Sequence, residues 1–223
     1  MTEPTHIRRI FVTGATGYLG TRLIPLLIER GHQVTALTRQ ESIRRVPTGC
    51  RVAVGNPFDA DSFLLFLRGN DTLVQLVGAP KPSPWKGPQF HAIDGPSALA
   101  AIRAATAARI RHFVYVSVAH PAPIMQDYIE VRTDCEAAIA EAGLVATILR
   151  PWYILGPGHW WPLALQPVYR LLERIPGKRE AAMRLGLVTI NEMLAAMVWA
   201  IEQPPERRRV IEVPEIRRLG RGD

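Results

Sequence analysis

Cysteine, lysine and long apolar runs are all scarce in this 223-residue chain. The two cysteines, Cys50 and Cys135, are too few for a disulfide framework and lie in no nucleophile motif, so we expect a reducing, cytoplasmic setting. No apolar run approaches the roughly 20 residues of a membrane span, and the N-terminus lacks the pattern of a secretory signal. Neither a membrane partner nor a metal site is predicted.

Only three of the 27 basic residues are lysines, and the arginines behind the formal charge of +7 are scattered along the chain. No helix-turn-helix and no aromatic-basic motif accompanies them, so nucleic-acid binding is not predicted. A solvated surface and a phosphate-bearing ligand explain the charge more simply. The length suits one α/β domain over residues 1–223, and no feature of the sequence sets the oligomeric state.

Three glycines stand in the segment VTGATGYLG (residues 12–20), between a short apolar strand and a helical pattern over residues 19–30. Gly14 permits a tight turn, and Gly17 lets a pyrophosphate approach the backbone. Gly20 lets the helix pack close to the strand. Three glycines alone are a weak signal, and a glycine-rich turn without a ligand is the alternative.

The surroundings of the turn favour a dinucleotide site over that alternative. A strand precedes it, a helix follows, and Gly31 ends the helix before a second strand at residues 33–38. Free N–H groups in the first helical turn, around Thr16, Tyr18 and Leu19, are suited to hold a phosphate.

Alternating strand and helix patterns follow, which predicts a doubly wound parallel sheet. Strands are predicted at residues 51–54, 72–77, 113–117, 145–149, 186–188 and 210–213, and helices at 60–67, 96–108, 128–142, 163–174 and 190–202. We expect Asp59 to cap the second helix, Pro96 to start the third, and Thr189 with Glu192 to form a capping box. A basic tail ends the chain.

The opening TGATGYLGTRLIPLLIERGHQVTALTR (residues 13–39) resembles the extended and atypical short-chain dehydrogenase/reductases, whose glycine motif is TGATGxxG. The segment ILRPWYILGPG (residues 148–158) is similar to the RPxxxxGPG sequence of the same family. The resemblance implies a Rossmann fold that binds NAD or NADP. It also implies that residues 151–223 add a small part on the substrate side, and that Pro151 faces the nicotinamide.

The end of the second strand favours NADP over NAD. An NAD site usually has Asp or Glu there to bind the ribose hydroxyls, but this chain reads Thr38-Arg39 and has no carboxylate before Glu41. Arg39 offers a charged, planar fork suited to a 2′-phosphate. After the third strand, Asn56 stands where the family commonly has aspartate beside the adenine. After the fourth strand, small residues that let the cofactor approach are expected at Val77, Gly78 and Ala79.

A catalytic set is present in altered form. The family uses a serine after the fifth strand and a YxxxK pair on the next helix, and this chain has Ser117, Tyr128 and, in the place of the lysine, Arg132. Arginine keeps the positive charge but does not deprotonate, so it is a poor proton relay. The set is therefore either a working acid with a changed partner or a remnant whose members only pack.

Tryptophans and prolines cluster after two of the predicted strands, where loops of an open α/β sheet lie over the ligand site. Trp85, Trp152, Trp160 and Trp161 are candidates for an apolar substrate pocket, and ordinary packing is the alternative.

Two functions follow from these residues and the resemblance. The first is an NADP-dependent oxidoreductase or epimerase-like enzyme that acts on a small apolar carbonyl compound. The second is a dinucleotide-binding sensor or scaffold without chemistry, of the NmrA-like kind. Arg132 favours the second, and the tryptophan-rich loops favour the first.

Overall fold

The computed structural model describes residues 6–80, 82–158 and 183–221. Its strands are β1 (Arg9–Thr13), β2 (Gln33–Thr38), β3 (Arg51–Val54), β4 (Thr72–Gln75), β5 (His112–Val116), β6 (Ala146–Arg150), β7 (Tyr153–Leu155), β8 (Leu187–Thr189) and β9 (Arg208–Glu212). Its helices are α1 (Gly20–Glu29), α2 (Asp61–Leu67), α3 (Gly95–Ala107), α4 (Gln126–Glu141), α5 (Ile190–Glu202) and α6 (Val213–Arg221). Short helical turns cover Gln40–Arg45 and, leading directly into α3, Pro84–Lys86, Gly87–Gln89 and Phe90–Asp94.

Seven of these strands form one parallel sheet in the order β3-β2-β1-β4-β5-β6-β9. The predicted doubly wound Rossmann fold is therefore confirmed. The order reverses between β1 and β4, and at such a point the two chain directions diverge and open a crevice at the carboxyl ends of the strands. Strands β7 and β8 pair in a second, two-stranded parallel sheet.

Both faces of the large sheet are buried, as its nearly continuous apolar strands predict. Alternation along β1 shows the division: Ile10 and Val12 pack with α1, α5 and α6, whereas Phe11 packs with α2, α3 and α4. The carboxyl edge of the sheet is left accessible between these two helical layers.

Local signals set the helix ends largely as predicted. Gly31 follows α1 with a φ of +82°, which glycine adopts without strain. The Thr189 hydroxyl accepts from the Glu192 N–H at 3.2 Å, and the Glu192 carboxylate accepts from the Thr189 N–H at 2.8 Å, so the capping box of α5 is confirmed. Pro96 lies in the first turn of α3, also as predicted.

The prediction of a basic tail at the end of the chain was wrong. Residues 213–221 form α6, which buries Val213 and Ile216 against the core, because two apolar residues three positions apart lie on one face of a helix. Helix α2 begins at Asp61, and its N-cap is Ala60 rather than the predicted Asp59; the Asp59 carboxylate instead accepts from the Asp61 N–H at 3.1 Å. The helix predicted at 163–174 lies outside the described residues. No helix in the described ranges is long and apolar enough to span a bilayer.

Candidate functional site

The loop between β1 and α1 contains three glycines in places that a side chain would not fit. Gly14 has a φ of +67°, and a Cβ there would lie 2.7 Å from the carbonyl carbon of Leu76. A Cβ on Gly20 would lie 2.8 Å from the carbonyl carbon of Ala15, and one on Gly17 would lie 3.1 Å from the Gly14 carbonyl oxygen. The loop is therefore pressed against the exit of β4 on one side and against its own helix on the other.

Two cavities adjoin above this loop. One, of about 290 Å³, extends toward the end of β2, and we call it the β2-side cavity. The other, of about 420 Å³, extends toward the end of β5, and we call it the β5-side cavity. Both are lined by Gly14, Gly17, Leu76 and Gly78. Together they make a groove over the first turn of α1, where an extended ligand with an anionic centre would fit.

Most of the predicted site residues line this groove. The β2-side cavity adds Thr16, Leu37, Thr38, Arg39, Ser42, Pro57, Phe58, Val77 and Ile93 to the shared residues. The β5-side cavity adds Tyr18, Leu19, Ala79, Pro80, Pro82, Val116, Ser117, Val118, Tyr128, Arg132, Pro151, Trp152, Tyr153 and Ile154. Gly20 acts differently, through the close packing described above.

Arginine and hydroxyl groups define the β2-side cavity. Arg39 follows β2 and forms an exposed ion pair with Glu41, with Nε and Oε1 3.1 Å apart. Ser42 is buried below it, and its Oγ accepts from Arg45 Nη2 at 2.8 Å. Because Glu41 neutralises part of the charge of Arg39, an anionic ligand must compete with this carboxylate.

Asn56 is not among the described residues that line the two cavities. Its Oδ1 accepts from the Phe58 N–H at 3.1 Å, and its own N–H donates to Ser62 Oγ at 2.9 Å. The side chain therefore shapes the turn after β3, and Pro57 and Phe58 are the residues of this turn that line the cavity.

Ser117 stands at the end of β5 and is tied to a buried acid. Its Oγ donates to Glu136 Oε1 at 2.6 Å. Glu136 in turn forms a two-pronged ion pair with Arg150: Nε donates to Oε1 at 3.0 Å and Nη2 donates to Oε2. With its proton directed to Glu136, the Ser117 oxygen presents lone pairs, and so it suits a ligand group that donates.

Tyr128 lies in the first turn of α4, partly buried, with its ring tilted at 47° against Phe90 at a centroid distance of 4.6 Å. Burial raises the pKa of this phenol, and the positive charge of Arg132 only partly opposes the rise. The hydroxyl keeps its proton at neutral pH.

Arg132 follows one turn later on α4 and is almost fully buried. Its Nη2 pairs with the Asp94 carboxylate, and its Nη1 donates to the Val116 carbonyl oxygen at 2.6 Å. The guanidinium carbon lies 5.0 Å from the centroid of the Tyr128 ring. Arg132 thus lines the β5-side cavity while most of its donors are already engaged inside the protein.

The four tryptophans do not form one cluster. Trp152 lines the β5-side cavity next to Pro151. Trp85 does not reach it: the side chain is 89% exposed on the short turn at Pro84–Lys86, because the proline-rich segment leads it to the surface. Trp160 and Trp161 lie outside the described residues.

Among the polar groups in and around the site, sequence reasoning missed Asp94, Glu136 and Ser42. Asp94 and Arg132 are 38 positions apart, and no periodicity connects them. Glu136 is one turn after Arg132 on α4, so its place on the inner face was accessible from helical spacing. Ser42 lies in the short helical turn after β2, which the sequence did not predict.

A family model described as "NAD(P)H-binding" matches residues 14–157, from the glycine turn to the loop after β7. The chain belongs to this NAD(P)H-binding family. All the residues that line the two cavities of the groove lie within the matched range.

Two curated relatives of this NAD(P)H-binding chain are reductases. A "Ceramide reductase" of Caulobacter vibrioides is 27% identical over 216 residues, covering 95% of this chain and 66% of its own length. A "2-alkyl-3-oxoalkanoate reductase" of Stenotrophomonas maltophilia is 30% identical over 200 residues, covering 79% of this chain and 58% of its own. The chain therefore spans about two thirds or less of the length of these two relatives.

Solved structures agree in fold. The enzyme WbmH of Bordetella bronchiseptica, solved in complex with NAD⁺, superposes with a TM-score of 0.66 at 18% identity, over 92% of this chain and 75% of that one. At this identity the likeness concerns the fold alone.

Proposed function

We propose that this protein is an NADP-dependent reductase that acts on a small, largely apolar carbonyl compound. The observation that carries the proposal is the β5-side cavity, in which Tyr128 and Ser117 stand opposite Pro151 and Trp152 at the end of the dinucleotide groove. The names of the two curated relatives, both reductases, support the same class of reaction.

The preference for NADP rests on the β2-side cavity. Arg39 borders it, and β2 ends in Thr38 where an NAD site usually has an acidic residue. Ser42 adds a hydroxyl whose oxygen already accepts from Arg45, so its proton is available to a phosphate oxygen. These groups favour a 2′-phosphate over a free hydroxyl.

The chemistry assigned to the residues is a proton transfer. A dinucleotide, when bound, would supply the hydride. Tyr128, whose phenol keeps its proton at neutral pH, gives that proton to the carbonyl oxygen, which becomes the alcohol. Ser117 accepts from a hydroxyl or N–H of the substrate and so orients it. Val118, Trp152 and Ile154 exclude water from the reacting carbon.

A second function is favoured by a specific observation. Arg132 is bound to Asp94 and Ser117 donates to Glu136, so two members of the catalytic set are engaged within the protein. A sensor that binds the dinucleotide without turnover would have these features.

Oxidation of NADPH with a panel of apolar ketones and aldehydes tests the two functions. For a reductase, Tyr128→Phe should lower kcat by about 10²–10⁴-fold, the usual contribution of a general acid. Its affinity for NADPH, measured by calorimetry, should stay unchanged.

Trp85→Ala is a matched aromatic control, since its exposed side chain lies away from the groove, and it should keep full activity. Tight binding of NADPH without turnover of any carbonyl would favour the sensor. Turnover unaffected by Tyr128→Phe would place the acid elsewhere.

A further inference from the structure

Asp94 is a fully buried carboxylate to which neither the family resemblance nor the proposed reaction assigns a role. It ends the helical turn Phe90–Asp94 that leads into α3, and its side chain has no exposed surface. Its two oxygens contact different parts of the site. Oδ2 accepts from the Ala79 N–H at 2.8 Å, in the turn after β4, while Oδ1 pairs with Arg132 Nη2 on α4.

The ion pair is packed against a glycine of the cofactor groove. A Cβ on Gly78 would lie 2.6 Å from Arg132 Nη2 and 3.0 Å from Asp94 Oδ1. Because Gly78 has no side chain, the Asp94–Arg132 ion pair can lie directly against its backbone, which lines both cavities. The backbone of the groove, the carboxylate and the guanidinium form one continuous contact.

Tyr128 lies on the other side of this pair. The guanidinium carbon of Arg132 is 5.0 Å from its ring centroid, and Nη1 of the same arginine donates to the Tyr115 hydroxyl at 3.3 Å. The ionisable groups around the phenol are thus Arg132 on α4, Asp94 before α3 and, beyond the arginine, Tyr115 on β5 and Cys135 on α4. The two charged groups oppose each other: Arg132 lowers the pKa of Tyr128 and Asp94 raises it.

We propose that Asp94 is a positioning residue that holds Arg132 against the Gly78–Ala79 turn and limits the effect of its charge on Tyr128. An arginine in this place is larger than the family's lysine and permanently charged. A buried carboxylate partner compensates that charge and fixes the guanidinium in one orientation. The inference rests on the proposed function, in which Tyr128 is the acid.

The titration of Tyr128 tests the proposal without any turnover. The protein is labelled with 3-fluorotyrosine, whose ring fluorine lowers the phenol pKa into a range where folded protein can be studied. Fluorine NMR then follows each tyrosine, and the resonance lost in Tyr128→Phe identifies the one of interest. Asp94→Asn retains an oxygen for the Ala79 N–H but removes the charge, so the Tyr128 midpoint should fall by about one pH unit.

A second variant gives the opposite sign. Arg132→Gln removes the positive charge and should raise the midpoint, and the double variant Asp94→Asn/Arg132→Gln should lie between the two. Asp127→Asn is the matched control: this carboxylate is next to Tyr128 in sequence but is directed at Gly87, so the midpoint should not move.

A Tyr128 midpoint that falls in Asp94→Asn and rises in Arg132→Gln supports the proposal. A midpoint that Asp94→Asn leaves in place or raises overturns it, as does a shift of both single variants in the same direction, which is the mark of loosened packing. Thermal unfolding checks that each variant is folded. If Asp94→Asn does not fold, Arg132→Gln decides: a Tyr128 midpoint that does not rise in this variant shows that Arg132 has no charge effect for Asp94 to limit, and overturns the role. An inactive protein gives the same readout, so failure of the proposed enzyme function is separately visible.

Discussion

The β2-side cavity and the β5-side cavity belong to one groove but are built from different parts of the chain. Just over half of the residues that line the first lie between Gly14 and Ser42, and most of the others come from the turns after β3 and β4. The second depends on side chains from α4 and from the ends of β5 and β6, next to two ion pairs, Asp94 with Arg132 and Glu136 with Arg150. The glycine turn therefore shapes both cavities through its backbone, whereas the β5-side cavity also depends on contacts between residues far apart in sequence.

The largest effect is expected from a change to the backbone that both cavities share. Gly17→Val should abolish binding of NADPH, because a branched side chain would occupy the place of the pyrophosphate. Calorimetry with NADPH measures this, and thermal unfolding checks that the variant is folded.

Gly31→Asn is the matched control for that substitution. This glycine has a φ of +82°, which asparagine tolerates, and no atom outside its chain neighbours lies within 4 Å of a Cβ there. The Gly31→Asn variant should bind NADPH with the affinity of the wild type. An unchanged affinity for NADPH in a folded Gly17→Val protein would show that the glycine turn is not part of the binding site.

An intermediate effect is expected at the open end of the β2-side cavity. Arg39→Ala should weaken NADP binding by ~1.5–3 kcal/mol, through loss of a charged hydrogen bond. The affinity for NAD should hardly change, because NAD has no 2′-phosphate. Parallel calorimetric titrations with the two cofactors measure the difference, and equal weakening would mean that Arg39 only stacks on the adenine.

The smallest effect is expected from the partner of that arginine. Glu41→Gln frees Arg39 from an ion pair of 3.1 Å, so NADP should bind about two- to fivefold more tightly. Both side chains are more than half exposed, and the gain should therefore vanish at high salt. A weaker affinity for NADP in this variant would show that Glu41 positions Arg39 rather than competing for it.

Sequence reasoning predicted the sheet and most helix ends, because these follow from short-range signals. Apolar runs between glycine turns gave the parallel strands, and the Thr189–Glu192 capping box fixed the start of α5. The last helix was missed because its apolar side consists of few residues among arginines. Arg39, Tyr128 and Pro151 were placed at the groove by motif and by spacing after strands, and their roles remain predictions.

The sequence by itself determined the Rossmann fold and the glycine turn on which the groove is built, since such a turn between a buried strand and a helix acts through backbone atoms a few residues apart. Only the tertiary structure decided which residues surround Ser117, Tyr128 and Arg132. Asp94 meets Arg132 across 38 residues, and Ser117 meets Glu136 across 19. A charged or polar group that is buried away from water needs a partner, which is why these pairs form. The partner comes from a distant part of the chain and is within reach only once the sheet has brought the two elements together.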